Sequence, residues 1–251
     1  MKILHIDIET SPNVADVWGL FKQNISLSQL RESSRMICFA AKWHGEAETK
    51  FYSEFSMPYR DMVAVAHNLM NEADAIVHYN GDAFDVPNLN KQFILHGFTP
   101  PAPSRHIDLY KVVRRKFRFT SNKLAYVSKE LGLSGKVEHE GHTLWVRCMA
   151  GDADAWKMME TYNIQDVDLL EELYDILLPW IDNHPNRALY DEDGQEYEPS
   201  CPNCASPDLR REGYALTRLG KYQRFRCRDC GKWTRSTKRV AGVEIQGTVG
   251  S

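Results

Sequence analysis

The chain has 251 residues and is 43% hydrophobic, enough for one sizeable packed core with a small appendage, which excludes a disordered protein over most of its length. The opening run Met1-Lys2-Ile3-Leu4-His5-Ile6-Asp7 carries charge too early for a secretory signal, and no apolar stretch approaches the roughly 18 residues of a membrane span, so the expectation is a soluble, cytoplasmic protein without membrane contact. The net charge of −3 divides unevenly: residues 1–200 hold 20 Lys and Arg against 30 Asp and Glu, residues 201–251 hold 11 against 4.

Short apolar runs alternate with amphipathic segments, predicting a mixed α/β domain. Residues 2–8 and 36–43 read as strands, and 50–53 as the end of a third. Residues 59–72 have helical spacing through Met62, Val63, Ala66, Leu69 and Met70, and lead into a short buried strand over 75–79. A turn at Asn80-Gly81 precedes an amphipathic helix from Val86 to His96, which Gly97 closes before a loop marked by Pro100, Pro101 and Pro103. The segment Lys111–Phe119 interleaves cations with apolar residues, as a solvated helix with one buried face or as a site for phosphates and bases. Ser121 is the predicted N-cap of a helix running to Leu131, with Gly132 as its stop. A last long helix is expected from Asp152 or Asp154 to about Ile181, unless Pro179 ends it earlier. Residues 182–199 read as an acidic linker in which Asp191-Glu-Asp-Gly194 is a turn rather than a calcium site, and residues 241–251 as a disordered tail.

Cysteines follow the same division. Cys38 and Cys148 sit alone in apolar contexts and read as packing residues. Cys201, Cys204, Cys227 and Cys230 form two C-x2-C pairs 22 residues apart, the spacing of four thiolates around one tetrahedral Zn²⁺. Two disulfides are the alternative, disfavoured in a reducing compartment.

Candidate chemistry lies in three segments. In Asp7-Ile8-Glu9 the acids are two apart on a strand, so both point to one face, where a bound cation would relieve their repulsion; a solvated strand end is the plainer reading. Asp85 should open a helix at the same sheet edge, as a metal ligand or as an ordinary N-cap. Tyr162 and Asp166 are four apart on one helical face, with Met158, Met159, Leu169, Leu170 and Leu173 supplying apolar positions; Asp168 falls on another face. His139 and His142 read as loop residues, since they lack the H-E-x-x-H pattern.

In chain order, Ile6-Asp-Ile-Glu-Thr10, Asn80-Gly-Asp-Ala-Phe-Asp85 and Tyr162-Asn-Ile-Gln-Asp166 resemble the three motifs of the DEDD 3′–5′ exonucleases, a superfamily of ribonuclease H-like fold that includes the proofreading domains of DNA polymerases. The resemblance covers residues 1–181 and implies a mixed sheet flanked by helices. Tyr162, with Thr161 where the other branch has histidine, is similar to the tyrosine branch. It implies two Mg²⁺ or Mn²⁺ ions, with Asp7 bridging both, Glu9 and Asp166 completing the water-activating site, Asp85 holding the second ion and Tyr162 orienting the water. Thr10 near the terminal nucleotide and Phe84 against a base or sugar are further expectations, against a strand end and a core residue.

Residues 200–240 resemble the zinc ribbons of nucleic-acid-binding proteins, above all in Tyr222-Gln-Arg-Phe-Arg-Cys-Arg-Asp-Cys-Gly-Lys-Trp233. Arg224, Arg226, Arg228, Lys232 and Arg235 with Trp233 would contact nucleic acid; docking of a protein partner is the other reading. Together these features point to an exonuclease on single-stranded or frayed DNA, with RNA as an alternative substrate and a non-catalytic nucleic-acid adaptor as an alternative function. With no room for a polymerase domain in this length, a proofreading role would need a separate polymerase or other replication protein, in a bacterial or phage setting of replication or repair.

Overall fold

A computed structural model describes residues 1–133, 140–190 and 199–243. The expected turn at Asp191–Gly194, His139 and most of the expected tail lie outside the described residues. The chain divides into two compact units, Lys2–Tyr174 and Asp175–Ser251 with Met1.

The first unit is built on a five-stranded mixed sheet of β1 (Ile3–Thr10), β4 (Met36–Trp43), β5 (Lys50–Ser53), β6 (Ala75–His78) and β7 (Arg105–Asp108), in the order β5-β4-β1-β6-β7. β1 is central, antiparallel to β4 and parallel to β6. A two-stranded ribbon, β2 (Val14–Ala15) with β3 (Leu30–Glu32), fills the β1–β4 connection and was not apparent from the sequence. The helices are α1 (Tyr59–Glu72), α2 (Asp85–Leu95), α3 (Leu109–Lys116), α4 (Leu124–Glu130), α5 (His142–Met149) and α6 (Ala153–Leu177).

Alternation along β1 separates two environments. Leu4, Ile6 and Ile8 pack with Met62, Val63, Ala66 and Met70 of α1 and with Leu89 and Phe93 of α2. A separate cluster joins Ile37 and Cys38 of β4 to Leu144 and Cys148 of α5 and to Ala155, Trp156, Met159 and Tyr162 of α6. Cys38 and Cys148 are buried packing residues, as expected. Their thiols are pushed up chiefly by burial, the Cys148 thiol to about 11.

Several boundaries differ from expectation for local reasons. Ser121 is not the cap of α4: that helix begins at Leu124 behind Lys123, while the Ser121 hydroxyl accepts the Lys123 N–H at 3.3 Å, closing a turn before the helix. His142 is not a loop residue but the first residue of α5, entered through Gly141 in a left-handed conformation (φ 64°). At the start of α6, Asp152 Oδ1 accepts the N–H groups of Asp154 (2.9 Å) and Ala155 (3.2 Å), satisfying two donors of the first turn. The helix stops at Leu177, and a 3-10 turn over Leu178–Trp180 accommodates Pro179. Helix α3 buries Leu109 and Val113 and exposes its cations, the solvated-helix reading of that segment.

In the second unit, β8 (Leu209–Leu216), β9 (Gly220–Cys227) and β10 (Trp233–Gly242) form an antiparallel sheet in the order β10-β9-β8. Asn203 Nδ2 donates to the Leu178 carbonyl (2.7 Å) and Lys232 Nζ to that of Ile181 (2.6 Å), so Lys232 is committed to backbone within this unit.

Phe39 is fully buried at the centre of β4 and stacks on Tyr52 with centroids 4.9 Å apart. Phe39→Ala is expected to cost about 3–5 kcal/mol of unfolding free energy, measured by urea denaturation, with the urea dependence unchanged.

Candidate active site

Asp7 and Glu9 lie on the face of β1 opposite Ile6 and Ile8, as two-residue spacing requires. Asp85 reaches them from β6 through a tight connection. Phe84 takes the N-cap position of α2, and Asp85 is the first helical residue, 3% exposed. Its carboxylate is tied to β1: Oδ1 accepts the N–H of Ile8 at 3.1 Å, the residue between Asp7 and Glu9. Burial pushes the Asp85 carboxyl up to about 6, against the stabilising effect of the Ile8 amide.

Helix α6 supplies the third segment. Tyr162 is 7% exposed, and its hydroxyl is driven far above the ordinary phenol range, first by burial, then by the negative charges of Glu9, Asp166 and Asp7 and by a hydrogen bond to Asp166. Each of those acids therefore acts on one buried phenol. Asp166 is itself buried. Asn163, which sequence reasoning missed, is fully buried and donates through Nδ2 to Asp7 Oδ2 (2.7 Å) and to the Asp7 carbonyl (3.3 Å). The available signal was helical spacing: position 163 shares a face with Met159 and Asp166.

Of the outlying expectations, Thr10 ends β1 half-buried, and Phe84 is 42% exposed rather than core. Met158, expected among the packing positions of α6, is exposed. Asp168 points away from the acids, to Lys42 (3.1 Å) and Thr49 (2.5 Å).

The Asn80–Phe84 connection is pinned from several sides. Asn80 has a left-handed backbone (φ 66°) and donates its N–H to Asp108 Oδ1 (2.9 Å), which also caps α3 through Tyr110 N–H (3.1 Å). Gly81 N–H donates to His78 Nδ1 (3.1 Å), and a Cβ at Gly81 would lie 2.4 Å from the His78 ring. With Nδ1 accepting, the neutral ring carries its proton on Nε2, facing His106 (3.2 Å) and Asp82 (3.4 Å). Lys111 closes the group on Asp82 at 2.5 Å, and the Asp82 carboxyl is held well below its usual range, first by the His78 hydrogen bond.

Among the described residues, three groups bring ligand atoms within 4.8 Å of one another: the four ribbon cysteines, His5–His44–Glu171 and His78–Asp82–His106. The carboxylates of Asp7, Glu9, Asp85 and Asp166 are spaced more widely, with Asp7 turned to Asn163 and Asp85 to Ile8. His5 is buried and held neutral, its pKa brought down to about 3 first by burial and then by His44 and Lys42. In the second unit, Cys201 and Cys230 sulfurs lie 3.6 Å apart, as do those of Cys204 and Cys227, and all six cysteines are thiols rather than the alternative disulfides. Sulfurs about 2.3 Å from a tetrahedral zinc stand roughly 3.8 Å apart. Burial raises the Cys204 thiol to about 11, a cost that a bound cation would reverse.

The family model described as the RNase_H superfamily (RNase_H_2) matches residues 26–178, beginning after β1. No curated protein matches the sequence. Among solved structures, the family B DNA polymerase from the hyperthermophilic archaeon Pyrobaculum calidifontis aligns over 71% of this chain at 17% identity with a TM-score of 0.55, a likeness of fold. The aligned region is only 24% of that polymerase. No helix among the described residues is long and apolar enough to cross a membrane.

Asp85 gives a signed test. Its folded pKa of about 6 lies above the unfolded value of roughly 3.9, so its contribution to stability is present below about pH 4 and lost as pH rises through 6. In metal-free buffer Asp85→Asn, which keeps an oxygen for Ile8 N–H, is expected to unfold about 1–3 kcal/mol harder than the parent at pH 8. The difference should vanish toward pH 4 in denaturant titrations.

Proposed function

Because the chain belongs to the RNase H superfamily, we propose that it is a metal-dependent exonuclease removing nucleotides from the 3′ ends of single-stranded or frayed DNA. The observation that carries this reading is the convergence of Glu9, Asp166 and Asp7 on the buried Tyr162 phenol, with Asp85 tied to the backbone between the two β1 acids. Carboxylate oxygens are hard donors, suited to Mg²⁺ or Mn²⁺ rather than to softer metals. When bound, two such ions supply positive charge for the attacking water and the departing oxygen.

In this reading Asp7 would serve both ions, Glu9 and Asp166 would complete one site and Asp85 the other. Asn163, by donating to Asp7 Oδ2, would hold that carboxylate in place for the ions. Tyr162 keeps its proton across the working pH range, because burial and three acids oppose its ionisation. It therefore orients water through its hydroxyl and does not serve as a base. Thr10 at the end of β1 and the exposed Phe84 ring would meet the terminal nucleotide in this reading. The nuclease domain in this reading is the unit Lys2–Tyr174, shorter than the expected 1–181, and residues 200–240 within the second unit would be a ribbon closed by one Zn²⁺ on Cys201, Cys204, Cys227 and Cys230 that helps hold nucleic acid. A separate DNA polymerase in replication or repair is the partner this activity would serve.

The test is a 5′-labelled single-stranded DNA and its RNA counterpart incubated with Mg²⁺ or Mn²⁺. A ladder of shortened labelled products, lost with chelator, supports the reading. Asp7→Ala should lower the rate about 100-fold or more, the loss of several kcal/mol of charge stabilisation, and Tyr162→Phe should cost less. Degradation of RNA alone would turn the substrate assignment to RNA, and binding without cleavage would turn the function to an adaptor.

The zinc assignment has its own measurement. Elemental analysis of the full chain should give one zinc per molecule, and Cys201→Ser combined with Cys227→Ser should remove it while urea unfolding of the nuclease core is retained.

A further inference from the structure

Cross-strand neighbours of the ribbon sheet lie on one face. Trp233 on β10 stands opposite Arg226 on β9, which stands opposite Arg210 on β8; Arg235 stands opposite Arg224, and Arg239 opposite Tyr222. Two-residue spacing along β9 and β10 keeps Tyr222, Arg224, Arg226, Trp233 and Arg235 on this face, while Phe225 and Thr234 take the other.

The aromatic rings here are already engaged. The Arg224 guanidinium lies 4.6 Å and that of Arg226 5.8 Å from the Trp233 ring, and that of Arg235 lies 4.3 Å from the Tyr222 ring. Tyr222 also hydrogen-bonds Arg239. Acids take other cations of the ribbon, Glu212 pairing with Arg210 (3.5 Å) and Asp208 with Arg228 (3.7 Å). A guanidinium stacked on a ring holds its N–H edges in a fixed fork, the geometry that recognises phosphate oxygens in pairs; at Arg224 one of these donors is already engaged, Nε donating to the Glu212 carbonyl (3.0 Å). The same stacking occupies the ring surface that a base would need. Arginines two residues apart on a strand are about 6.8 Å apart along it.

Resting on the ribbon's role given above, we propose that this sheet face binds a single nucleic-acid strand through its phosphates, with Arg224, Arg226, Arg235 and Arg239 as donors and Trp233 and Tyr222 as rigid supports beneath them. Trp233, 45% exposed, is then not a stacking platform for bases. Recognition by this face is indifferent to base identity and steeply dependent on salt.

The experiment uses the full chain carrying Asp7→Ala, so that the strand stays intact, and follows fluorescence anisotropy of an end-labelled oligothymidylate of about 20 nucleotides, an abasic strand of equal length and a duplex, from about 50 to 300 mM salt. The expected result is abasic and normal strands bound within about 3-fold of each other. Arg226→Gln with Arg235→Gln should weaken both about 10-fold or more and reduce the salt slope by about 1.4, or 0.7 per phosphate lost. Arg226→Lys with Arg235→Lys should restore part of the affinity, and unchanged zinc content shows that the ribbon is folded. A large loss with the abasic strand, Trp233→Leu weakening the normal strand alone, an unchanged slope in the double variant, or tighter binding of duplex would each overturn the proposal. Cleavage by the parent chain is scored separately, so failure of the nuclease reading and failure of this one are distinguishable.

Discussion

Crowded negative charge between β1 and α6 is the constraint around which the first unit is arranged. Asp7 and Glu9 are forced to one side by strand alternation, and Asp166 is brought to meet them by a helix whose apolar positions pack on the same sheet. Repulsion between such groups is offset by neutral donors: the Asn163 amide at Asp7 and the Ile8 N–H at Asp85. Burial first, and then the charge that these donors do not cancel, make the Tyr162 phenol reluctant to ionise, while the Asp85 carboxyl is raised by burial. Apolar clusters on both sides of the sheet hold the acids where electrostatics alone would separate them.

The same sheet face changes character along its length. Lys42, opposite His5 in the β1–β4 register, pairs with Asp168 and Glu171 two turns or less along α6 from Asp166. His5 stays neutral against Tyr174, its ring edge-on with centroids 5.3 Å apart. At that end Asp168 and Glu171 share the Lys42 ammonium, whereas the Asn163 amide donates to Asp7 and the Ile8 N–H to Asp85.

How legible each part was in the sequence follows from the range of the interaction behind it. Paired acids on β1 and the Tyr162–Asp166 spacing obey two- and four-residue periodicities, so a local pattern suffices. The placement of Asp85 beside β1 was also inferable, because it follows a buried strand, but its bond to Ile8 spans 77 residues and lies beyond the reach of any local pattern. Asn163 looked like an ordinary helix residue until the sheet covered it. Strand β7, with its alternating polar residues Arg105 and His106, and the short helix α5 had too little periodic signal to stand out. In the ribbon the cysteine spacing was plain, whereas Lys232 was assigned to nucleic acid by composition alone and instead donates to the Ile181 carbonyl. Composition reveals how many cations a segment holds; register determines which of them share a face.

That distinction bears on how an acidic protein can handle a polyanion. A substrate strand approaching carboxylates is repelled at distances set by ionic strength, within about 10 Å at 0.1 M salt. Scattered surface lysines would offset this weakly, since each keeps its own hydration and conformational freedom. The ribbon concentrates arginines on one face and limits their freedom by stacking them on Trp233 and Tyr222. Less side-chain entropy is then lost when a phosphate is met, and the charge is fixed at strand spacing. Because a phosphate contact carries no sequence information, such a surface can retain a strand whose terminal bases keep changing, which is the demand that stepwise removal of nucleotides would place on it.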